Sequence, residues 1–112
     1  MKGKVTARVA ELVIERDGGA CVVRVTHPGA RPYEQLHHRR ARGMGSTNRV
    51  ESNLAANLIS VCADCHAWIE SNRTQALSDG WLVGQSRMPA MEPLLYKGQW
   101  KLLNDVGDVV AA

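Results

Sequence analysis

The chain has 112 residues, which suits one compact domain and leaves little room for a second. Its 14 lysines and arginines against 11 acidic residues give a formal net charge of +3, which is only mildly basic. No apolar run approaches the roughly 20 residues that cross a bilayer, so a membrane-spanning helix is excluded. The chain has three cysteines, and its amino terminus shows no signal-peptide pattern. These features argue against a disulfide framework. We therefore expect a cytoplasmic protein with reduced thiols, in which closely spaced cysteines indicate metal.

The amino-terminal half predicts one helix and two short strands in chain order. Apolar residues recur at helical spacing over residues 4–16, and Gly18-Gly19 end the run. Residues 21–25 are β-prone and stop at a turn, and residues 33–39 predict a second strand. The polar stretch 40–52 shows no periodicity and predicts a long loop, which in a compact domain is more often functional than idle.

The second half predicts a strand, a helix and a terminal hairpin. Residues 57–62 read as a strand and 63–72 as a helix, and 81–83 predict a further short strand. Residues 84–93 hold two prolines and predict an irregular linker, after which 94–103 form a hairpin around a glycine turn. The fold class predicted is α+β, as a small single domain over residues 1–112. Its core covers about 12–83, followed by the linker and terminal hairpin over 84–112.

Positive charge is concentrated in one short stretch of the chain. Glu34 is the only acid among the five arginines Arg31, Arg39, Arg40, Arg42 and Arg49. A local cationic field of this kind suits a phosphate backbone. A solvated basic loop explains the same charges equally well.

The chemistry-bearing residues are His37-His38, Asn57 and the block Cys62-Ala63-Asp64-Cys65-His66. Each part alone is weak: a histidine pair is often a surface accident, and Cys-x-x-Cys occurs as a metal half-site, a redox pair or two buried thiols. Their order suits a metal site with one imidazole base on a strand and a second imidazole on the following helix. A polar residue on the return strand would fix the loop between them.

These blocks resemble the HNH (His-Asn-His) endonuclease family, whose core is a ββα-metal, or His-Me finger, fold. The matching residues are Leu36-His37-His38-Arg39-Arg40 and the run from Asn57 to His66. The chain further resembles short HNH proteins of actinobacterial bacteriophages. That second resemblance rests on the blocks Arg16-Asp17-Gly18-Gly19-Ala20-Cys21, Arg42-Gly43-Met44-Gly45 and Asp79-Gly80-Trp81-Leu82-Val83, so that it covers roughly residues 12–83.

The resemblance implies a metal-dependent endonuclease that hydrolyses DNA phosphodiester bonds. His38 would be the general base, Asn57 would orient the His38 loop, and His37 and His66 would hold a divalent cation such as Mg²⁺, Mn²⁺, Ni²⁺ or Zn²⁺. The catalytic set is thus His38, Asn57 and His66. Glu70 lies four residues after His66 on the same helix face and is a candidate third ligand, although an exposed helical glutamate explains it equally well.

A second, structural metal site is also implied by the resemblance, since many HNH proteins hold one zinc between two Cys-x-x-Cys pairs. Cys62 and Cys65 form one pair here, and Cys21 begins the other. Arg24 stands where the fourth cysteine would be, and an arginine cannot bind zinc. His27 is the candidate substitute. Without zinc, the three cysteines would simply pack in the core.

DNA is the expected partner, with Arg39, Arg40 and Arg42 neutralising its phosphates. The alternative function is a non-catalytic DNA-binding or phage DNA-packaging accessory, associated with a terminase, that retains the HNH fold. Cleavage of both strands would require a homodimer or repeated nicking, and the terminal hairpin offers an exposed edge strand for a dimer.

Overall fold

The computed structural model describes residues 4–41 and 50–112, which form a small α+β domain. Its helices are α1 (Ala7–Arg16), α2 (Ala63–Ser71) and α3 (Arg73–Ser78), and its strands are β1 (Gln35–His38), β2 (Leu58–Val61), β3 (Leu94–Tyr96), β4 (Gln99–Leu103) and β5 (Val109–Ala111). Three short 3₁₀ helices cover Val50–Asn53, Ala55–Asn57 and Pro89–Met91. Over the described ranges, no helix is both long and apolar enough to span a bilayer. The predicted α+β class is confirmed.

Two small antiparallel sheets organise the chain. β1 pairs with β2, and Cys62 alone separates β2 from α2, with its sulfur accepting from the backbone N–H of Cys65. The second sheet has the order β3-β4-β5. Lys97 and Gly98 both have positive φ, 51° and 86°, as a two-residue type I′ turn between β3 and β4 requires. The predicted terminal hairpin is therefore confirmed, and β5 extends it by a strand.

The predicted opening helix is confirmed and packs on the return strand of the first sheet. The Thr6 hydroxyl accepts from the Val9 N–H, so that α1 begins one residue after a side-chain cap. Val13 on its inner face is fully buried in a cluster with Ala55 and Leu58. The helix thus covers one side of β2.

Two predicted strands are wrong and one helix was missed. Residues 21–25 contain no strand, because the Val22 N–H and carbonyl bond two separate parts of the chain and Arg24 takes a left-handed conformation at φ 56°. Residues 81–83 are buried but irregular, with two of their N–H groups bonded to the Ala76 carbonyl at the end of α3. The α3 segment lacks an apolar repeat long enough to predict it.

A buried ion pair joins α1 to both sheets. Arg16 donates to both carboxylate oxygens of Asp17, at 2.7 and 3.0 Å, and its other bonds reach the carbonyls of Ala55 and Leu58. Asp17 is fully buried and also accepts from the Ser60 N–H and the Tyr96 hydroxyl. Burial, with the charge of Asp17, raises the pKa of Tyr96 far above its ordinary value, so its hydroxyl stays a donor.

Asp17→Ala is expected to destabilise the fold by about 3–5 kcal/mol, because it leaves the Arg16 guanidinium as an uncompensated buried charge. The free energy of unfolding in urea measures this. Asp64→Ala is the matched control, since Asp64 pairs with Arg31 at the surface, and its loss should cost less than about 1 kcal/mol. Equal effects of the two substitutions would contradict the structural role assigned to Asp17.

Candidate metal centres

The first sheet and α2 bring three potential metal ligands together. One ligand atom from each of His37, His66 and Glu70 lies within 4.8 Å of the others. His37 comes from β1, whereas His66 and Glu70 are four residues apart on α2 and share one helix face. Two imidazoles and a carboxylate form a donor set that suits a divalent cation. All three residues were predicted as metal ligands from the sequence, and the structure brings them together.

His37 is buried, with 3% of its surface exposed. Its Nε2 donates to the Trp81 carbonyl at 2.7 Å, which leaves the lone pair on Nδ1. Burial lowers the pKa of His37 to about 4, outweighing the hydrogen bond to Trp81, so the ring is neutral at physiological pH. A neutral imidazole with one nitrogen engaged is the form that binds a metal.

His66 is held by a residue that the sequence did not single out. Its Nδ1 donates to the Oε1 of Gln35, which leaves Nε2 with the free lone pair. Gln35 lies two residues before His37 on β1, and the His37 and His66 rings meet edge to face at 5.0 Å between centroids. The spacing of two along a strand is the signal that could have placed Gln35 beside the cluster.

His38, the predicted general base, lies next to the cluster at the end of β1. Its Nε2 donates to the Oδ1 of Asn53 at 3.0 Å, so that Nδ1 is left to accept a proton. Asn53 belongs to the 3₁₀ helix Val50–Asn53 and was not predicted. Nothing in the sequence marks it, because the hydrogen bond joins residues 15 positions apart that share no strand or helix.

Asn57 holds the main chain rather than a histidine side chain. It is fully buried, its Oδ1 accepts from the Arg40 N–H at 2.7 Å, and its Nδ2 donates to the carbonyls of Arg40 and Ser52. The bonds tie the segment that leaves β1 to the segment that enters β2. Asn57 therefore supports the backbone on which His38 and Asn53 stand.

The cluster opens onto a surface cavity of about 270 Å³. Its polar lining is formed by His37, His38, His66, Glu70 and Arg73. Arg73 also donates to the Glu70 carboxylate at 2.8 Å. A ligand entering the cavity would therefore meet the three candidate metal ligands, the candidate base and one cation.

A second cluster joins Cys21, His27, Cys62 and Cys65, whose ligand atoms all lie within 4.8 Å of one another. The three cysteines are fully buried and reduced, and all four residues were predicted as zinc ligands. This Cys₃His cluster could hold a metal ion such as zinc. His27 is thus brought to the position that Arg24 cannot fill.

The buried atoms of this cluster suit a bound cation. Both ring nitrogens of His27 are buried without a hydrogen-bond partner, an arrangement that is costly unless an ion or water engages one of them. Two sulfurs on a tetrahedral zinc lie about 3.8 Å apart, which falls within the 4.8 Å that bounds the ligand atoms of the cluster. Burial raises the pKa of the Cys62 thiol; at Cys65 burial acts likewise, but hydrogen bonds from Thr26 outweigh it and lower the pKa.

The expectation that Arg39 and Arg40 bind phosphates is corrected by their burial. Arg39 is fully buried and donates to four backbone carbonyls, those of Ala56, Gly80, Pro89 and Glu92. Arg40 is 2% exposed and bonds the Arg87 carbonyl and the Glu51 carboxylate. Burial lowers the pKa of Arg39 to about 10, and the guanidinium stays charged at neutral pH. Both arginines support the fold, and Arg42 lies outside the described residues.

Comparisons with family models, curated proteins and solved structures find no match to this chain.

Metal-free protein is expected to lose stability as the pH falls from about 6.5 to about 4. The folded pKa of His37 lies below its ordinary value of 6.5, so in this window the unfolded chain binds more protons. The contribution of His37 to the free energy of unfolding is fully present above pH 6.5 and is lost as the pH falls to about 4. It amounts to roughly 3 kcal/mol. Urea unfolding of chelator-treated protein across this range measures it. His37→Gln should flatten this part of the pH profile, and an unchanged profile in that variant would refute the assignment.

Proposed function

We propose that the chain is a metal-dependent endonuclease of the HNH type, with a ββα-metal core formed by β1, β2 and α2. One observation carries the proposal: His37, His66 and Glu70 converge within 4.8 Å beside His38, at the mouth of a cavity. The resemblance in the sequence assigns metal binding and base catalysis to the histidines of this group. A purely structural cluster would have no need of a cavity-lining imidazole next to it.

The hydrogen bonds of the site favour this chemistry. His37 would bind a divalent cation through Nδ1 and His66 through Nε2, because the opposite nitrogens are engaged by Trp81 and Gln35. Glu70 would supply a carboxylate oxygen. The cation, when bound, would supply positive charge to a scissile phosphodiester and to the departing 3′ oxygen.

His38 would take the proton of the attacking water at Nδ1. The acceptor Oδ1 of Asn53 holds the Nε2 proton in place, which selects this tautomer and stabilises the imidazolium formed after proton transfer. Asn57 would act through the backbone, keeping the ends of β1 and β2 together. Asn53 and Asn57 are positioning residues, because neither lines the cavity.

Plasmid cleavage in Mg²⁺, Mn²⁺ or Ni²⁺ tests the proposal. Wild-type protein is expected to nick DNA only with a divalent cation, and His38→Ala should lower the rate roughly 10²–10⁴-fold because the proton acceptor is lost. His38→Ala should keep the wild-type affinity for Mn²⁺, measured by calorimetry, since His38 is not a ligand. His66→Ala should lose both cleavage and Mn²⁺ binding.

The proposal is refuted if folded, metal-loaded wild-type protein leaves plasmid intact under all three cations. The chain would then fit the alternative, a DNA-binding or DNA-packaging accessory. If folded His38→Ala still cleaves plasmid, the chain is a nuclease but His38 is not its general base.

We further propose that the Cys₃His cluster binds a structural zinc. Its support is the pair of partnerless buried His27 nitrogens next to three reduced cysteines. A zinc there would join three segments, the loop after α1, the end of β2 and the first turn of α2.

Cys62→Ser is expected to abolish zinc retention and to cost at least about 3 kcal/mol of unfolding free energy, because the metal is bound only by the folded chain. Zinc after dialysis is measured by mass spectrometry and stability by urea unfolding. His66→Ala is the matched control, since it removes a ligand of the other cluster and should leave zinc retention unchanged. Zinc-free wild-type protein of normal stability would exclude the structural zinc.

A further inference from the structure

Arg73 is the cation of the cavity at the His37 cluster. It is the first residue of α3, its side chain is 56% exposed, and it lines the cavity together with the two β1 histidines. Among the described residues that line this cavity and the smaller one adjoining it, Arg73 is the only lysine or arginine. Any anion that enters the site therefore meets its guanidinium.

The other arginines near the site are engaged elsewhere. Arg39 and Arg40 are buried and donate mainly to backbone carbonyls. Arg31 pairs with Asp64 and does not line either cavity. The sequence assigned a phosphate contact to Arg39 and Arg40, which the structure buries. Among the described residues, Arg73 is the candidate for that contact instead.

We propose that Arg73 binds a phosphate of the nucleic acid substrate next to the bond that is cut; this inference rests on the proposed function. A guanidinium presents five N–H donors in a planar fork, and within the described part of the chain Arg73 uses one of them, from Nη1 to the Oε1 of Glu70. Arg73 lines the cavity of about 270 Å³, so its remaining donors are available to an anion that enters there. Bidentate contact with phosphate is the geometry this fork favours.

The pair with Glu70 places the phosphate contact beside the metal ligands. Glu70 has two carboxylate oxygens, so one can remain with Arg73 while the other serves a cation. Arg73 would then lie beside the ligand set, on the wall of the same cavity. Both side chains are more than half exposed, so their ion pair adds little to stability and substitution at Arg73 should leave the fold intact.

DNA binding in a non-cleaving His38→Ala background tests the inference. The probe is a short fluorescein-labelled DNA duplex in Mg²⁺, and its anisotropy is followed over a range of salt concentrations. Adding Arg73→Ala should weaken binding about tenfold and reduce the slope of log affinity against log salt by about 1, because one phosphate contact is lost. Arg73→Lys should restore the salt slope, since it keeps the charge.

Two controls separate phosphate binding from other effects. Arg87→Ala removes a second exposed arginine, which also pairs with a glutamate but lines neither cavity, and it should change affinity less than about twofold. Mn²⁺ affinity, measured by calorimetry, should be unchanged or higher in Arg73→Ala, because a positive charge beside the ligands is removed. A lower Mn²⁺ affinity would mean that Arg73 merely positions Glu70, and would overturn the inference.

The inference and the proposed function fail separately. If the wild-type protein cleaves DNA but Arg73→Ala leaves the DNA affinity and the salt slope unchanged, only the phosphate contact of Arg73 is rejected. Equal losses in Arg73→Ala and Arg87→Ala, or no DNA binding by His38→Ala, would also overturn it. Arg73-dependent binding by a chain that never cleaves would keep the phosphate contact and reject the nuclease.

Discussion

The geometry of the site depends on one buried amide, that of Asn57. Its three hydrogen bonds reach the backbone of Arg40 and Ser52, on the two sides of the connection between β1 and β2. A buried amide without these partners would carry the desolvation cost of each of its polar atoms, so the bonds hold the two ends of the connection together. With its ends fixed, the pairing of β1 with β2 holds His37 towards α2, and the 3₁₀ helix brings Asn53 to His38.

Buried arginines supply hydrogen-bond donors to backbone carbonyls in the irregular parts of this small chain. Carbonyls in the 3₁₀ helices and in residues 80–92 lie outside the hydrogen-bond ladders of strands and α-helices, and a guanidinium brings several donors to one place. Arg39 bonds four such carbonyls, and Arg16, while paired with Asp17, bonds the carbonyl of Ala55 in a 3₁₀ helix and that of Leu58 at the start of β2. The consequence for function is that these charges cannot reach a substrate. Among the residues that the structure describes, the arginine that lines the cavity is Arg73, which lies at the surface.

In each of the three site histidines one ring nitrogen is hydrogen-bonded, and the other has no hydrogen-bond partner in the described part of the chain. The oxygen acceptors are Trp81 for His37, Gln35 for His66 and Asn53 for His38. Each acceptor comes from a different segment: an irregular stretch, a strand and a 3₁₀ helix. Such acceptors decide which lone pair a metal or a proton can use. The chemistry proposed for the site thus depends on Trp81, Gln35 and Asn53, none of which would bind the metal or take the proton.

What the sequence alone determined is what local spacing encodes. The apolar repeat of α1, the strands β1 and β2, the helix after Cys62 and the terminal hairpin follow from side-chain periodicity and turn residues within a few positions. The same local spacing aligned His66 with Glu70 and Cys62 with Cys65. Tertiary structure alone decided that residues 21–25 and 81–83 are not strands, that His27 completes the cysteine cluster, and that Arg39 and Arg40 point inwards. The physical reason is that strand pairing, burial and ligand convergence depend on partners many residues away, whose positions only the folded chain supplies.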